Sequence, residues 1–191
     1  RMFDLTILGL ENVPTDGPAI IAANHTSVLD SFIVPSVLPR NISYVGKAEY
    51  LDDWKTKHIF PALGMIPIDR SGGDAAAAAL DTAAALLDSG GLFGIYPEGT
   101  RSRTGHLYKG RTGVARLSHR TGAPIIPVGL MGMRDIQPPD APFPKFFNAA
   151  TISFGQPLFP DEHGDPGTDP MAFRAMTDAL MFRIRHLSGQ Q

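Results

Sequence analysis

Short apolar runs bounded by Gly or Pro alternate along this chain with longer stretches of helical pattern, and that alternation restricts it to layers of helix on sheet. Leu5–Leu10, Pro18–Ala23, Ile42–Val45, Met65–Ile68, Leu92–Tyr96 and Ile125–Leu130 read as strands, with Thr151–Phe154 a weaker one. Several lack apolar/polar alternation, which predicts strands covered on both faces. Between them, Asp74 is placed to cap a helix over Ala75–Leu87 that Gly90-Gly91 ends, and a second helix is expected over Lys109–Arg120, stopping at Gly122. Near the end, Asp169 reads as a cap and Pro170 as the first helical position. Phe173, Met176, Leu180, Ile184 and Leu187 then form an apolar stripe that packs on the sheet, with a membrane-lying helix as the lesser reading. Met133–Asn148 and Pro157–Asp169 read as long loops. The expected fold is α/β: a single layered domain over residues 1–191, with a largely parallel mixed sheet flanked by helices. In such sheets ligands sit beyond the carboxyl ends of the strands.

Composition removes several function classes. Lys plus Arg number 17 against 19 Asp plus Glu, a net charge of −2, so no global positive field gathers nucleic acid. Cysteine is absent, which excludes disulfides, thiolate nucleophiles and thiolate metal sites and fits a reducing compartment. No apolar stretch reaches the roughly 18 residues that span a bilayer, and no signal peptide opens the chain. The start at Arg1 and the Ser-Gly-Gln-Gln ending suggest a segment trimmed from a longer chain.

Two strand exits carry the chemistry. Asn24-His25-Thr26-Ser27-Val28-Leu29-Asp30 follows Pro18–Ala23. His25 and Asp30 cannot share a face of one continuous helix, so they meet only if His25 precedes the helix and Asp30 sits about one turn inside it. Asp30 would then accept a proton from one ring nitrogen and leave the other to act as a base. The plainer alternative makes Asn24 or Ser27 a helix cap and Asp30 a solvated acid. Tyr96-Pro97-Glu98-Gly99-Thr100-Arg101-Ser102 follows Leu92–Tyr96. Here Gly99 allows close backbone approach to an anion, Thr100 and Ser102 offer hydroxyls, and Arg101 offers a planar fork. From Arg101 to Arg120 the ionised side chains are all basic: Arg101, Arg103, Lys109, Arg111, Arg116 and Arg120. A discrete phosphate site is one reading, and a solvated basic helix is the other. Lys47 and Arg70 are further cations at strand exits, although Asp69 and Arg70 also read as a surface pair. Ala123–Val128 carries no acid or base and reads as core, with the lining of an apolar slot as the alternative.

The chain has no Gly-x-Ser-x-Gly elbow, no Gly-x₄-Gly-Lys phosphate loop and no His-x₃-His zinc pair. In order and spacing, His25-x₄-Asp30, Gly64–Arg70, Glu98–Ser102 and Pro124–Val128 resemble the four motif blocks of the glycerolipid acyltransferases. The nearest branch is that of the lysophosphatidate (1-acylglycerol-3-phosphate) acyltransferases. The resemblance covers about residues 18–130. It implies a glycerol-3-phosphate acyltransferase-like fold and direct acyl transfer from acyl-CoA or acyl carrier protein to a hydroxyl of a phosphorylated glycerol acceptor. No cofactor or metal is implied beyond that donor. His25 would take the hydroxyl proton and Asp30 would orient it. Arg101, with Gly99, Thr100, Arg103, Lys47 and Arg70, would hold the acceptor phosphate, and Glu98 sits at the acceptor site in that family. Backbone N–H groups near the block starting at Gly64 are candidates for an oxyanion hole.

The implied substrates live in membranes, so peripheral association from the cytoplasm is expected. Trp54, Ile59, Phe60, Leu63 and Met65, beside Lys55, Lys57 and His58, make one candidate surface, and Phe143, Phe146 and Phe147 with Lys145 a second. Packing inside the protein is the alternative for both. Two other acceptor readings are glycerol 3-phosphate and another lysolipid or glycolipid. Two other classes stand beside them: a thioesterase or hydrolase delivering water, and a non-catalytic binder of anionic lipids. A base such as His25 has no use in the last.

Overall fold

The computed structural model describes residues 4–47, 64–68, 75–141, 143–145 and 148–191. Seven strands form one sheet: β1 (Asp4–Leu8), β2 (Ala19–Ala23), β3 (Ile42–Lys47), β4 (Met65–Ile68), β5 (Leu92–Ile95), β6 (Ile125–Met131) and β7 (Ala149–Phe154). Their order is β1-β7-β6-β2-β5-β3-β4. Every neighbouring pair is parallel except β6 and β7. The sheet is therefore mixed and largely parallel, as the alternation of elements predicts.

The helices are α1 (Asp30–Val37), α2 (Ala75–Asp88), α3 (Gly113–Thr121), the single turn α4 (Met133–Ile136) and α5 (Ala172–Ser188). One face of the sheet packs Ile21, Ile126, Val128 and Ile152 against Ile33 and Val34 of α1 and Met133 and Ile136 of α4. The other packs Ile20, Phe93 and Ile125 against Ala83 and Leu87 of α2, Val114 and Leu117 of α3, and Met176, Leu180 and Ile184 of α5. All five residues of β2 are buried, because helices cover both faces. The stripe on α5 thus belongs to the core.

The structure corrects several sequence-based boundaries. α3 begins at Gly113, not Lys109, and the residues before it are tied to the β5 exit instead: Tyr108 N–H donates to Glu98 and Arg111 N–H to the Pro97 carbonyl. Met171 caps α5; Asp169 instead accepts the Met171 N–H at 2.8 Å, so Pro170 stays outside the helix. The loop expected over Met133–Asn148 contains α4, and that over Pro157–Asp169 contains a 3₁₀ turn at Pro160–His163. Met65 is not a surface residue: it is buried in β4, and its side chain fills the space over Gly46. Asp74 and the expected surface residues Trp54, Lys55, Lys57, His58, Ile59, Phe60, Leu63, Phe146 and Phe147 lie outside the described residues. Among the described residues no helix is long and apolar enough to cross a membrane.

Candidate active site

Because β2, β5, β3 and β4 run parallel, the loops that leave their carboxyl ends share one edge of the sheet. The β2 exit carries His25 and the β5 exit carries Glu98–Ser102.

Asp30 is the first residue of α1 rather than a residue one turn inside it. The backbone from Thr26 to Leu29 curls around its fully buried carboxylate. Oδ2 accepts the N–H groups of Thr26 and Ser27, each at 2.8 Å, and lies 2.9 Å from His25 Nδ1. A carboxylate can only accept, so Nδ1 carries a proton, and in the neutral imidazole the lone pair is on Nε2. The Asp30–His25 pair therefore meets, and the solvated-acid alternative does not hold. Nor is Asn24 a cap. Its side chain exchanges two hydrogen bonds with the Leu130 backbone, at 2.7 and 2.9 Å, and donates to Gln190 at 2.8 Å, extending the β2–β6 pairing. Ser27 Oγ accepts the Leu29 N–H at 3.1 Å.

The second loop grips the first. Glu98 Oε1 accepts the His25 N–H at 2.9 Å, and Ser102 N–H donates to the His25 carbonyl at 2.7 Å. Glu98 Oε2 accepts the Tyr108 N–H at 2.8 Å. Both oxygens of this buried acid thus brace backbone. Burial pushes its carboxyl above the ordinary range, and the two backbone N–H groups pull it back only in part. Gly99 adopts φ +73°, and its N–H closes a turn onto the Tyr96 carbonyl at 2.9 Å. Ser102 Oγ donates to the His106 carbonyl at 2.6 Å and accepts the Gly105 N–H, so that hydroxyl also serves the loop.

A cleft of about 570 Å³ opens beside these loops, and both His25 and Arg101 line it, with Gly99 and Thr100. Arg101 donates through Nη1 to the Pro139 carbonyl at 2.7 Å. The cleft continues over apolar and aromatic residues from β3, β5 and α2, among them Val45, Phe93, Ile95 and Leu80. Arg103 is turned toward Asp140 at 3.8 Å, on the exposed surface. Lys47 closes β3 in register with Ile68, at the same sheet edge, but its side chain lies outside the described residues, as does Arg70. Gly64 opens β4 at its amino end, where its carbonyl accepts the Tyr44 N–H. Among the described residues no group of three or more acids and histidines is arranged to hold a metal ion.

One neighbour of His25 and the two residues behind it have no role in the sequence reading. The Tyr96 ring stacks on the imidazole with centroids 3.9 Å apart and planes 10° apart. Tyr44 stacks behind Tyr96 at 5.9 Å, and Ser31 Oγ lies 3.1 Å from the Tyr96 hydroxyl. Burial, reinforced for both phenols by the Asp30 charge, holds them far above the usual tyrosine range, so both stay protonated. The available signal is positional and covers Tyr96 alone, which follows the last residue of the parallel strand β5.

Residues 4–131 match the family model described as Acyltransferase. The chain belongs to the acyltransferase family. It is 30% identical to a chloroplastic 1-acyl-sn-glycerol-3-phosphate acyltransferase of Arabidopsis thaliana over 71% of this chain, and it spans only 38% of that protein. A 1-acyl-sn-glycerol-3-phosphate acyltransferase of Bacillus subtilis is 27% identical over 94% of this chain and 86% of its own length. The fold matches the crystal structure of the 1-acyl-sn-glycerophosphate acyltransferase of Thermotoga maritima with a TM-score of 0.79. That match has 21% identity and covers 96% of this chain and 70% of the other.

Proposed function

We propose that this acyltransferase moves a fatty acyl group from an acyl thioester, acyl-CoA or acyl carrier protein, to the free hydroxyl of lysophosphatidate in phospholipid synthesis. The observation that carries the reading is the His25 Nδ1–Asp30 Oδ2 contact of 2.9 Å in a cleft that Arg101 also lines. The 1-acyl-sn-glycerol-3-phosphate acyltransferases similar to this chain supply the acceptor class.

His25 Nε2 takes the acceptor's hydroxyl proton as the oxygen attacks the thioester carbonyl. Asp30 fixes the tautomer and stabilises the imidazolium. The tetrahedral intermediate collapses with loss of the thiolate, which takes the proton back from His25. No covalent acyl-enzyme forms, and the activated thioester makes a cofactor unnecessary. Arg101 grips the acceptor phosphate, with Gly99 and Thr100 beside it and Lys47 and Arg70 adding positive charge. Glu98 acts on the acceptor indirectly, through the backbone of both loops. The enzyme works peripherally, at the cytoplasmic surface of a membrane. Phe143, 79% exposed, and the nearby exposed Lys145 suit such a surface.

Thiol release measured with each donor against lysophosphatidate, glycerol 3-phosphate, a neutral lysolipid and no acceptor tests this. The expected result is release that depends on lysophosphatidate and yields the diacyl product. Release without acceptor would make the chain a thioesterase. Lipid binding with no release would make it a binder.

A further inference from the structure

We infer that Tyr96 is a positioning residue for His25: its ring is the floor on which the imidazole lies, and it sets the direction of Nε2. This rests on the proposed role of His25. A single hydrogen bond from Nδ1 to Asp30 leaves the imidazole free to pivot about the N···O line. A ring stacked beneath it at 3.9 Å and 10° removes that freedom. The floor is itself anchored. The Tyr96 carbonyl accepts the Gly99 N–H at 2.9 Å, its hydroxyl meets Ser31 Oγ at 3.1 Å, and the Tyr44 ring backs it at 5.9 Å.

The anchors are shared with the acid. Asp30 and Ser31 are consecutive residues of α1, so one helical turn holds the imidazole through the first and its floor through the second. Likewise the Tyr96–Glu98 segment supports the His25 ring through Tyr96 and the His25 backbone through Glu98. An imidazole held in its plane, from below and along its backbone presents Nε2 to the cleft in one orientation. The electron-rich face of the phenol also favours the imidazolium that forms when the hydroxyl proton arrives. General-base catalysis needs this control, because misplacement by about 1 Å costs on the order of 10²-fold in rate.

Tyr96→Phe keeps the ring and loses the hydroxyl contact, and Tyr96→Leu keeps bulk and loses the aromatic face. The Leu variant should lower kcat by about ten- to a hundred-fold while both KM values stay within about twofold. The Phe variant should remain within about threefold of the parent in kcat. A Leu variant with near-parental kcat, or equal losses in both variants, would overturn the inference. Proton NMR reads the stack without turnover. The carbon-bound ring protons of His25 should resonate upfield of the positions of a histidine with no ring stacked on it, in the parent and in the Phe variant, and return on substitution by Leu. Unshifted His25 protons in the parent overturn the inference even if the Leu variant does not fold. A parent that transfers no acyl group with any donor and acceptor would instead overturn the proposed function, and the NMR shift would still decide the stack.

Discussion

Glu98 holds His25 by its main chain: one carboxylate oxygen accepts the His25 N–H at 2.9 Å while the other accepts the Tyr108 N–H at 2.8 Å. Glu98→Ala removes both acceptors and leaves the two buried N–H groups without them. The expected cost is about 1–3 kcal/mol of stability, measured by urea unfolding, with a fall in kcat as the two loops loosen. The pH dependence carries a sign. Burial raises the Glu98 carboxyl above its ordinary 4.5, so between that value and its raised value the folded protein binds a proton that the unfolded chain has released. Its contribution is complete below pH 4.5 and declines as pH rises through the raised value. The stability difference between parent and Ala variant should therefore shrink toward higher pH in that window. A difference that stays flat from pH 4 to 7 would contradict the burial argument.

Asp30→Asn tests the acid that organises the His25 loop. Its Oδ2 serves three donors at 2.8–2.9 Å in a fully buried position. The amide matches this set only by leaving a donor unpaired or by turning its own NH₂ toward another N–H. We expect kcat to drop about 10²–10⁴-fold, and the unfolding free energy to drop by about 1–3 kcal/mol. His25→Gln should abolish transfer at nearly parental stability. Thiol-release kinetics and thermal unfolding separate the two, and parental turnover in His25→Gln would end the mechanism.

Arg101→Ala should raise the acceptor KM about ten- to a hundred-fold, the range of a lost charge-assisted hydrogen bond, and leave the donor KM near its parental value. Arg101→Lys should recover part of the loss, since the point charge survives and the fork does not. Equal effects on donor and acceptor KM would remove Arg101 from the phosphate site.

Gly99→Ala probes the turn that aims this loop. The backbone there has φ +73°, and a Cβ would lie 2.8 Å from Arg111 Nε. The left-handed conformation alone costs about 1 kcal/mol or more for alanine. A lower melting temperature and a weaker acceptor KM are expected together. Adding Arg111→Ala should relieve the contact but not the backbone strain, so the double variant should recover only part of the melting temperature.

Much of this organisation is written locally. The strand runs, the parallel sheet they imply and the two motif-bearing exits all follow from short-range pattern, because side-chain periodicity and Gly/Pro punctuation act over a few residues. The pairing of His25 with Asp30 was legible for the same reason, since five positions bridged by one turn leave few geometries. The role of Glu98 was not, because its partner His25 is 73 positions away and the contact runs through a backbone N–H that every non-proline residue possesses. Asn24 reads as a cap by type, yet it pairs with Leu130 across 106 positions once β2 and β6 lie side by side. The stacking of Tyr96 on His25 likewise depends on β2 and β5 being neighbours. The chain's own order of residues thus determined which chemical groups arrive at the edge of the sheet. Only the packing of the strands decided which of them touch, because those contacts join elements whose adjacency is a property of the whole core.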